Sequence, residues 1–217
     1  MSKLTFRLQK IAELVNKKNI CDVGCDHGKL AYYLLNNNKV SSVVVSDISA
    51  PSLQKAIDLL SKNNYKFEAI CCDGLTGYKR QNIEQCIISG MGGDEIIKII
   101  SSSPINIDSY ILSPQHNIIA VKKFVLSEGY DIDYDIIIED KGKFYNIFRC
   151  NKTKNVSEYD DVDLLIGRAN FNDKDSSASK FVDHEINKID RILNGNNEVS
   201  QDLLDYYKTL KKYKKRN

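Results

Sequence analysis

The stretch NICDVGCDHGKLAYYLLNN, residues 19–37, decides the fold of this protein, because it joins a short apolar run to a helical pattern through a glycine turn. The apolar run has the length of a buried strand, and LAYYLL has apolar residues at helical spacing. Gly24 and Gly28 stand at the junction, where the backbone must turn sharply. A strand that passes through such a turn into a helix is typical of the first unit of a Rossmann-like sheet.

Strand-like and helix-like segments continue to alternate after this unit. In order, they are SSVVVSDI, APSLQKAIDLLSKN, FEAICCDG, QCIISGMGG, SYILSPQ and IIAVKKFVLSEG. Runs such as VVV and CII lack polar alternation, as parallel strands do when both faces of their sheet are covered. A helical stripe precedes the first strand and consists of Leu4, Leu8, Ile11, Ala12 and Val15. We therefore predict parallel βαβ units, with Gly129 as the C-cap of the last helix.

The pattern changes after Gly129. Two strand-like runs, DIDYDIIIED and KFYNIFRC, are joined by Lys141 and Gly142, which predicts an antiparallel hairpin at one edge of the sheet. Further on, the patch LLIGRANF precedes two helical stripes that are separated by NGNN. The stripes consist of Val182, Ile186, Ile189 and Leu193, and of Val199, Leu203, Tyr206 and Leu210. They predict an antiparallel, coiled-coil-like helical hairpin, which either packs on the main domain or projects as an arm.

The predicted fold is therefore of the α/β class, with a Rossmann-like catalytic domain in residues 1–152 and the helical hairpin in residues 153–217. The chain of 217 residues is 42% hydrophobic and 28% charged, which is typical of a folded globular protein. Its net charge of +2 does not by itself indicate a nucleic-acid-binding protein. Basic residues nevertheless cluster in KKYKKR near the end of the chain and, in the first helix and just after it, as Lys3, Arg7, Lys10, Lys17 and Lys18.

Targeting and metal-binding signals are absent from the sequence. The N-terminal segment MSKLTFRLQK has no apolar core of a signal peptide, and no window approaches the roughly 18 apolar residues of a membrane span. Six cysteines occur without CxxC or Cys/His zinc spacing. We expect a cytoplasmic protein without a membrane partner or a metal, whose cysteines are reduced core residues.

The glycine turn has the form GxxxG, whereas a dinucleotide-binding turn has GxGxxG. Asp22 directly precedes Val23 and Gly24. A carboxylate here is poorly suited to a pyrophosphate and well suited to a ligand that carries an ammonium group. S-adenosylmethionine has an amino group and a sulfonium but no phosphate, so the turn predicts this cofactor.

Two further carboxylates end the next two strands. Asp47 closes VVVSD, where a carboxylate can accept both ribose hydroxyls of a nucleoside. Asp73 follows FEAICC, where it can accept the amino group of adenine together with the neighbouring backbone. An Asp at a strand end is otherwise often a helix N-cap. Three carboxylates at successive strand ends favour the cofactor site over three caps.

The order of motifs also resembles a known family. DVGCDHGKL, followed by SDI, CCDGL, SGMGG and LSPQ, is similar to the bacterial tRNA adenine-N1 methyltransferases that act on position 22 of tRNA. The resemblance covers the catalytic domain and extends into LLIGRANF and the helical tail. Its most specific elements are the pair Asp26 and His27 and the glycine-rich run from Gly90 to Gly93. It implies a class I methyltransferase sheet, S-adenosylmethionine as cofactor and tRNA as partner. We expect a monomer.

The resemblance also implies the roles of individual residues. Asp26 corresponds to the catalytic aspartate, with His27 beside it. The cofactor pocket would comprise Asp22, Gly24, Asp47, Ile48, Asp73, Gly74, Gly90, Met91 and Gly92. The substrate site would comprise Arg7, Gly93, Ser113, Pro114 and Gln115. The chain departs from the family in having Ser-Pro-Gln at residues 113–115 where members have Gln-Pro-Asn, and in Asp47, where some relatives carry Glu.

Adenine N1 already has a lone pair, so its methylation needs no obligatory general base. A carboxylate at the Watson–Crick edge can accept a hydrogen bond from the exocyclic amino group and stabilise the positive charge that develops on the ring. We predict this role for Asp26. His27 either assists by hydrogen bonding or stabilises the turn. Basic residues of the first helix and the tail would bind tRNA phosphates.

Several alternatives remain open from the sequence. The run SPQH is similar to the Asn/Asp/Ser-Pro-Pro-aromatic turn of adenine-N6 and glutamine methyltransferases, although it lacks the second proline and follows the fifth strand instead of the fourth. The substrate could be another RNA, a protein or a small molecule. The chain could also be a nicotinamide enzyme or a nucleotide-binding module without catalysis. Tyr206, Tyr207 and Tyr213 fit core packing of the helical hairpin better than base stacking.

Overall fold

The computed structural model describes residues 4–79, 82–170, 177–195 and 198–216. The helices are α1 (Phe6–Leu14), α2 (Lys29–Asn36), α3 (Ala50–Ser61), α4 (Gly93–Ser101), α5 (Ile118–Ser127), α6 (Asp161–Ile166), α7 (Ser177–Asn194) and α8 (Gln201–Arg216). The strands are β1 (Asn19–Val23), β2 (Ser42–Asp47), β3 (Phe67–Cys71), β4 (Gln85–Ser89), β5 (Ser109–Ser113), β6 (Tyr130–Asp140) and β7 (Lys143–Lys152). Lys3, Phe171 and the last two residues of NGNN lie outside the described residues.

The seven strands form one sheet in the order β3-β2-β1-β4-β5-β7-β6. The first five strands of this order are parallel, whereas β7 is antiparallel to both of its neighbours. This confirms the predicted parallel sheet with an antiparallel edge hairpin. Lys141 and Gly142 both have positive φ, at 54° and 75°, as a tight hairpin turn requires.

The order of the strands reverses at β1, which lies between β2 and β4. Ligands of open α/β sheets bind beyond the carboxyl ends of the strands at such a reversal. The glycine turn of residues 24–28 follows β1 at this point. The topology therefore places the predicted cofactor turn where a ligand site is expected.

Helices cover both faces of the sheet. One apolar cluster joins α1, α2 and α3 to the sheet, and a second joins α4 and α5 to the opposite face. Successive residues of β1 alternate between the two clusters, with Ile20 in the first and Cys21 in the second. Four cysteines are buried as predicted, but the prediction is wrong for Cys71, which is exposed, and Cys72 is only half-buried. Cys71 is the last residue of β3 and Cys72 follows it directly, and β3 is an edge strand with a neighbour on one side only.

The helical hairpin packs on the catalytic sheet and does not project as an arm. A third apolar cluster contains Ile137 of β6 together with buried residues of α6, α7 and α8. Below it, the Nζ of Lys122 in α5 lies 2.6 Å from the Oδ2 of Asp135 in β6 and donates to the carbonyl of Leu164 in α6 at 2.8 Å. This cluster contains residues from both sides of the predicted domain boundary at residue 152. The boundary therefore stays a prediction.

The segment LLIGRAN connects the sheet to the last helix. A Cβ at Gly167 would lie 2.5 Å from the Cγ of Asp135, so only glycine lets α6 approach β6 this closely. Asn170 donates to the carbonyls of Asp135 and Ile166, and its own carbonyl accepts from the hydroxyl of Tyr213. These contacts hold the C-terminal turn of α8, which contains Tyr213, against this segment.

The tyrosines of α8 pack within the hairpin, as predicted. Tyr213 is buried, the Tyr206 hydroxyl donates to Glu185 of α7, and the Tyr207 hydroxyl donates to Asp190. The stripe begins later than predicted, because α8 starts at residue 201, after Val199. Among the described helices, none is both long enough and apolar enough to cross a membrane.

Candidate active site

The glycine turn after β1 is built from left-handed backbone conformations. Gly24, Asp26 and Gly28 have φ of 70°, 50° and 67°. A positive φ is uncommon for a residue with a side chain, and at Asp26 the end of β2 supports it. The amides of Gly24 and Cys25 donate to the carbonyl of Ser46 at 2.9 and 3.0 Å, and the amide of Asp26 donates to the Oδ2 of Asp47 at 3.0 Å.

A cavity of about 270 Å³ lies above this turn. It is lined by Arg7, Leu8, Asp22, Gly24, Cys25, Asp26, His27, Lys29, Leu30, Ser89, Gly90 and Gln115. It therefore brings together seven of the predicted site residues. The other predicted residues do not line it, namely Asp47, Ile48, Asp73, Gly74, Met91, Gly92, Gly93, Ser113 and Pro114.

Asp22 is the buried charge of the cavity. Asp22 as a whole is 4% exposed, and its carboxylate has no hydrogen-bond partner among the described residues. Burial and, to a smaller extent, the charge of Asp47 raise the pKa of Asp22 to about 7. A buried carboxylate without a partner favours a cationic ligand, because a nearby positive charge offsets the cost of desolvation. The geometry thus fits the ammonium group that the sequence predicts here.

Asp47 connects the end of β2 to the glycine turn. Its Oδ2 accepts from the amide of Asp26, and its Oδ1 accepts from the amide of Ser49 at 2.8 Å. The N-cap of α3 is Ser49, whose side chain accepts from the amide of Ser52. Asp47 is therefore not the cap of this helix, and its carboxylate retains free lone pairs for a ribose. Ile48, next to it, is 72% exposed.

Asp73 and Gly74 follow β3. The carboxylate of Asp73 is half exposed and lies 3.2 Å from the Nζ of Lys98 in α4. Gly74 has φ of 59°, and a Cβ there would lie 2.6 Å from the Cγ1 of Ile99. Gly74 is thus needed for packing of this loop against α4.

Asp26 and His27 lie at the rim of the cavity, and Lys55 of α3 completes their group. The Nε2 of His27 is 3.1 Å from the Nζ of Lys55 and 3.5 Å from the Oδ1 of Asp26. An ammonium group only donates, so the Nε2 of His27 accepts in this contact and has no hydrogen for Asp26. This geometry favours the turn-stabilising role of His27. Sequence reasoning missed Lys55, because an exposed lysine on a helix carries no local signal.

The glycine-rich run after β4 is paired with the loop after β5. Gly90 donates to the carbonyl of Ser113 at 3.1 Å, and the amide of Gln115 donates to the carbonyl of Met91 at 2.9 Å. The side-chain Nε2 of Gln115 donates to the carbonyl of Gly90 at 2.7 Å. The two loops thus form one wall, and the Ser-Pro-Gln sequence supports this wall through Gln115.

Gly92 and Gly93 make this pairing possible. A Cβ at Gly92 would lie 2.7 Å from the ring of His116, and one at Gly93 would lie 2.7 Å from the carbonyl oxygen of His116. Met91 covers the glycine turn, since a Cβ at Gly24 would lie 2.2 Å from its Cε. Sequence analysis missed His116, whose role follows only from the contact between the two loops.

Arg7 lies across the mouth of the cavity. Its backbone amide donates to Asp140 at 3.2 Å, and its guanidinium carbon lies 5.3 Å from the centre of the Tyr145 ring. A Cβ at Gly90 would lie 3.5 Å from the Nη1 of Arg7. The arginine is thus positioned between the edge hairpin and the glycine-rich run. Tyr145 was missed, because an aromatic residue on a strand normally indicates packing alone.

In the part of the chain that the structure describes, no cluster of three His, Cys, Asp or Glu side chains could hold a metal ion. The site instead combines three carboxylates at successive strand ends with one arginine and a wall of close-packed glycines.

Known proteins share this arrangement of strands and motifs. A family model described as a methyltransferase domain matches residues 4–148. The chain is 32% identical over 176 residues to a candidate tRNA methyltransferase of Mycoplasma pneumoniae, and this match covers 77% of the chain and 82% of that protein. It is 27% identical over 171 residues to the tRNA (adenine(22)-N(1))-methyltransferase of Bacillus subtilis, covering 76% of the chain and 72% of the relative.

A solved structure has the same fold over its whole length. M. capricolum TrmK in complex with S-adenosyl-homocysteine is 25% identical and superposes with a TM-score of 0.89, covering 99% of each chain. Together with the family model and the mycoplasma relative, this similarity shows that the chain belongs to the methyltransferase-domain family, in the group formed by the bacterial tRNA methyltransferases.

Proposed function

We propose that this protein transfers a methyl group from S-adenosylmethionine to N1 of an adenine at position 22 of tRNA. The observation that carries the proposal is the cavity lined both by the buried Asp22, just before the glycine turn, and by the exposed Asp26, within that turn. The B. subtilis relative is named for this reaction, and M. capricolum TrmK was solved with the demethylated cofactor.

The residues present fit S-adenosylmethionine. Asp22 would bind the ammonium group, which supplies the partner that its carboxylate lacks. Asp47 would accept the ribose hydroxyls, and Asp73 would accept from the adenine amino group. Gly24, without a side chain, leaves room for the side chain of Met91 over the turn. When bound, the cofactor supplies an electrophilic methyl group on its sulfonium.

The chain's contribution to the reaction is positioning and charge stabilisation. Asp26 would accept a hydrogen bond from the exocyclic amino group of the target adenine, so that its negative charge offsets the positive charge gained by the ring. The left-handed backbone at Asp26, tied to Asp47, fixes the direction of this carboxylate. Ribose binding and the orientation of Asp26 therefore depend on the same side chain.

The substrate requires a basic surface around the cavity. Arg7 and Lys29 line the cavity, and the exposed lysines of α8 include Lys212, Lys214 and Lys215. Such side chains bind phosphates without reading sequence, so selection of the adenine rests on the shape of the RNA. N1 must be unpaired or drawn out of its stack before methylation. The protein would act as a monomer in the cytoplasm, where its substrate is found.

The test is incubation of the purified protein with unmodified tRNA and methyl-labelled S-adenosylmethionine, followed by digestion and identification of the labelled nucleoside. We expect 1-methyladenosine at position 22. Asp26→Ala should lower kcat by about 10²-fold or more, as loss of a charge-stabilising group does. Asp58→Ala is a matched control, because this carboxylate is on α3 and outside the cavity.

Each other result has a defined meaning. N6-methyladenosine, after exclusion of base-induced rearrangement, would favour the alternative based on the SPQH turn. Wild-type turnover by Asp26→Ala would contradict the role of Asp26. Cofactor binding without any labelled tRNA would contradict the proposed function and favour another substrate or a binding module.

A further inference from the structure

A second cavity of about 360 Å³ lies beside the first, between the edge hairpin and the C-terminal helices. Its walls are mainly apolar and include Ile119, Ile137, Phe144, Leu165, Phe181 and Tyr206. Cavities of this size take small organic ligands or single chemical groups of larger ones. None of the site residues predicted from the sequence lines this cavity.

One buried amide of the cavity makes no hydrogen bond of normal geometry within the described part of the chain. Asn146 of β7 is 5% exposed, and neither its Nδ2 nor its Oδ1 has a hydrogen-bond partner among the described residues. The amide faces the buried carboxyl of Asp135 and lowers the pKa of that group, although Asp135 Oδ1 also makes no hydrogen bond and Oδ2 lies 2.6 Å from the Nζ of Lys122. A buried amide without partners is costly. A ligand with a hydrogen-bond donor beside an acceptor would bond to both the Oδ1 and the Nδ2 of Asn146.

The backbone supplies a second polar feature. Asn117 is the N-cap of α5, with φ of 55°, and its side chain does not cap the helix but donates to the carboxylate of Asp94. The next residues, Ile118, Ile119 and Ala120, line the cavity. Amides of a first helical turn have no partners within their helix and favour an anion such as a phosphate.

The two cavities are neighbours in the fold. Gln115 lines the first and Asn117 the second, so one short loop separates them. Tyr145 lines the second cavity while its ring contacts Arg7, which lines the first. A ligand that extends from one cavity to the other would therefore pass along this loop.

We infer that the second cavity binds a nucleobase of the tRNA that neighbours the methylated adenine, with Asn146 bonded to the base edge and the α5 N-terminus facing its phosphate. This inference rests on the proposed function. Aromatic walls suit a base because every base has a face that can stack, and an asparagine amide matches the donor and acceptor pattern of a base edge. Extrusion of two adjacent nucleotides would place one in each cavity.

Photo-crosslinking tests this placement directly. Phe181 is replaced by p-azidophenylalanine, the protein is mixed with tRNA and S-adenosylhomocysteine, and the nucleotide crosslinked on irradiation is mapped. We expect one nucleotide next to position 22. The same substitution at Tyr134, which is exposed on β6 and outside the cavity, should not crosslink there. Scattered or absent crosslinks, in a variant that still methylates tRNA, would overturn the inference.

Binding measurements provide an independent test. Asn146→Ala should weaken tRNA binding about tenfold, the loss expected for one base-edge contact, with unchanged affinity for S-adenosylhomocysteine. Asn151→Ala, on the same strand and outside the cavity, should leave both affinities unchanged. Unaltered tRNA binding by Asn146→Ala would contradict the inference.

A free nucleotide is the competing occupant of the second cavity. Saturable binding of free adenosine monophosphate that is lost in Asn146→Ala, without any tRNA crosslink from residue 181, would assign the cavity to a free nucleotide and overturn the inference. Failure of the unaltered chain to methylate tRNA would instead contradict the proposed function.

Discussion

Asn in place of Asp22 should stabilise the protein while it weakens cofactor binding. In the folded protein the pKa of Asp22 is about 7, compared with 3.8 for an unperturbed carboxyl, chiefly because of burial. Because the folded pKa lies above the unfolded one, the native state retains a proton that the unfolded chain releases. Stability of the wild type therefore falls as pH rises from about 4 to about 7, and the loss is complete above this range.

The size of the effect follows from the two pKa values. At about 1.36 kcal/mol for each pKa unit, the difference corresponds to about 4 kcal/mol. Asp22→Asn has no charge to desolvate, so it should match the wild type near pH 4 and exceed it by up to this amount near pH 8. For a chain of this size, this corresponds to an increase in Tm of roughly 10 °C.

Thermal unfolding at the two pH values measures this difference. Asp26→Asn is the matched control, because its carboxyl is 72% exposed and its removal should not give a pH-dependent gain in Tm. Asp22→Asn should also bind S-adenosylhomocysteine about 10- to 100-fold more weakly, since a charged hydrogen bond is lost. Equal Tm differences at both pH values, or no gain near pH 8, would refute the assignment of a raised pKa to Asp22.

Three other substitutions test the contacts around the site. Lys122→Met should cost about 3–5 kcal/mol in the free energy of unfolding, because it leaves the buried carboxyl of Asp135 without its cation, and adding Asp135→Leu should recover much of this loss in denaturant titrations. Gly24→Ala should lower the Tm, and Met91→Ala in the same chain should restore only part of it, since the positive φ remains strained; full restoration would contradict the strain. His27→Gln keeps an acceptor for Lys55 of α3, so kcat should change by less than about threefold, whereas a catalytic hydrogen bond from His27 predicts a loss of about 10²-fold or more.

The sequence by itself was sufficient for the order of elements and for the turn beside which the structure has a cavity. Parallel strands covered on both faces must be apolar throughout, so VVV and CII were readable as buried strands without tertiary knowledge. Asp22 and Gly24 were identifiable because the carboxyl end of the first strand is fixed by the alternation of elements. The edge hairpin was recognisable because Lys141 and Gly142 form a tight turn between two strand-like runs.

Contacts between distant segments were decided only by the tertiary structure. Lys55 pairs with His27, and Tyr145 lies beside Arg7, although the members of each pair are far apart in the chain. The surroundings of the Asn146 amide also come from several distant segments. No local pattern distinguishes these side chains from ordinary surface or core residues. Burial is equally non-local. The sequence shows a carboxylate at the end of a strand, but only the packing around it removes its solvent and raises its pKa, because desolvation depends on every element that surrounds the group.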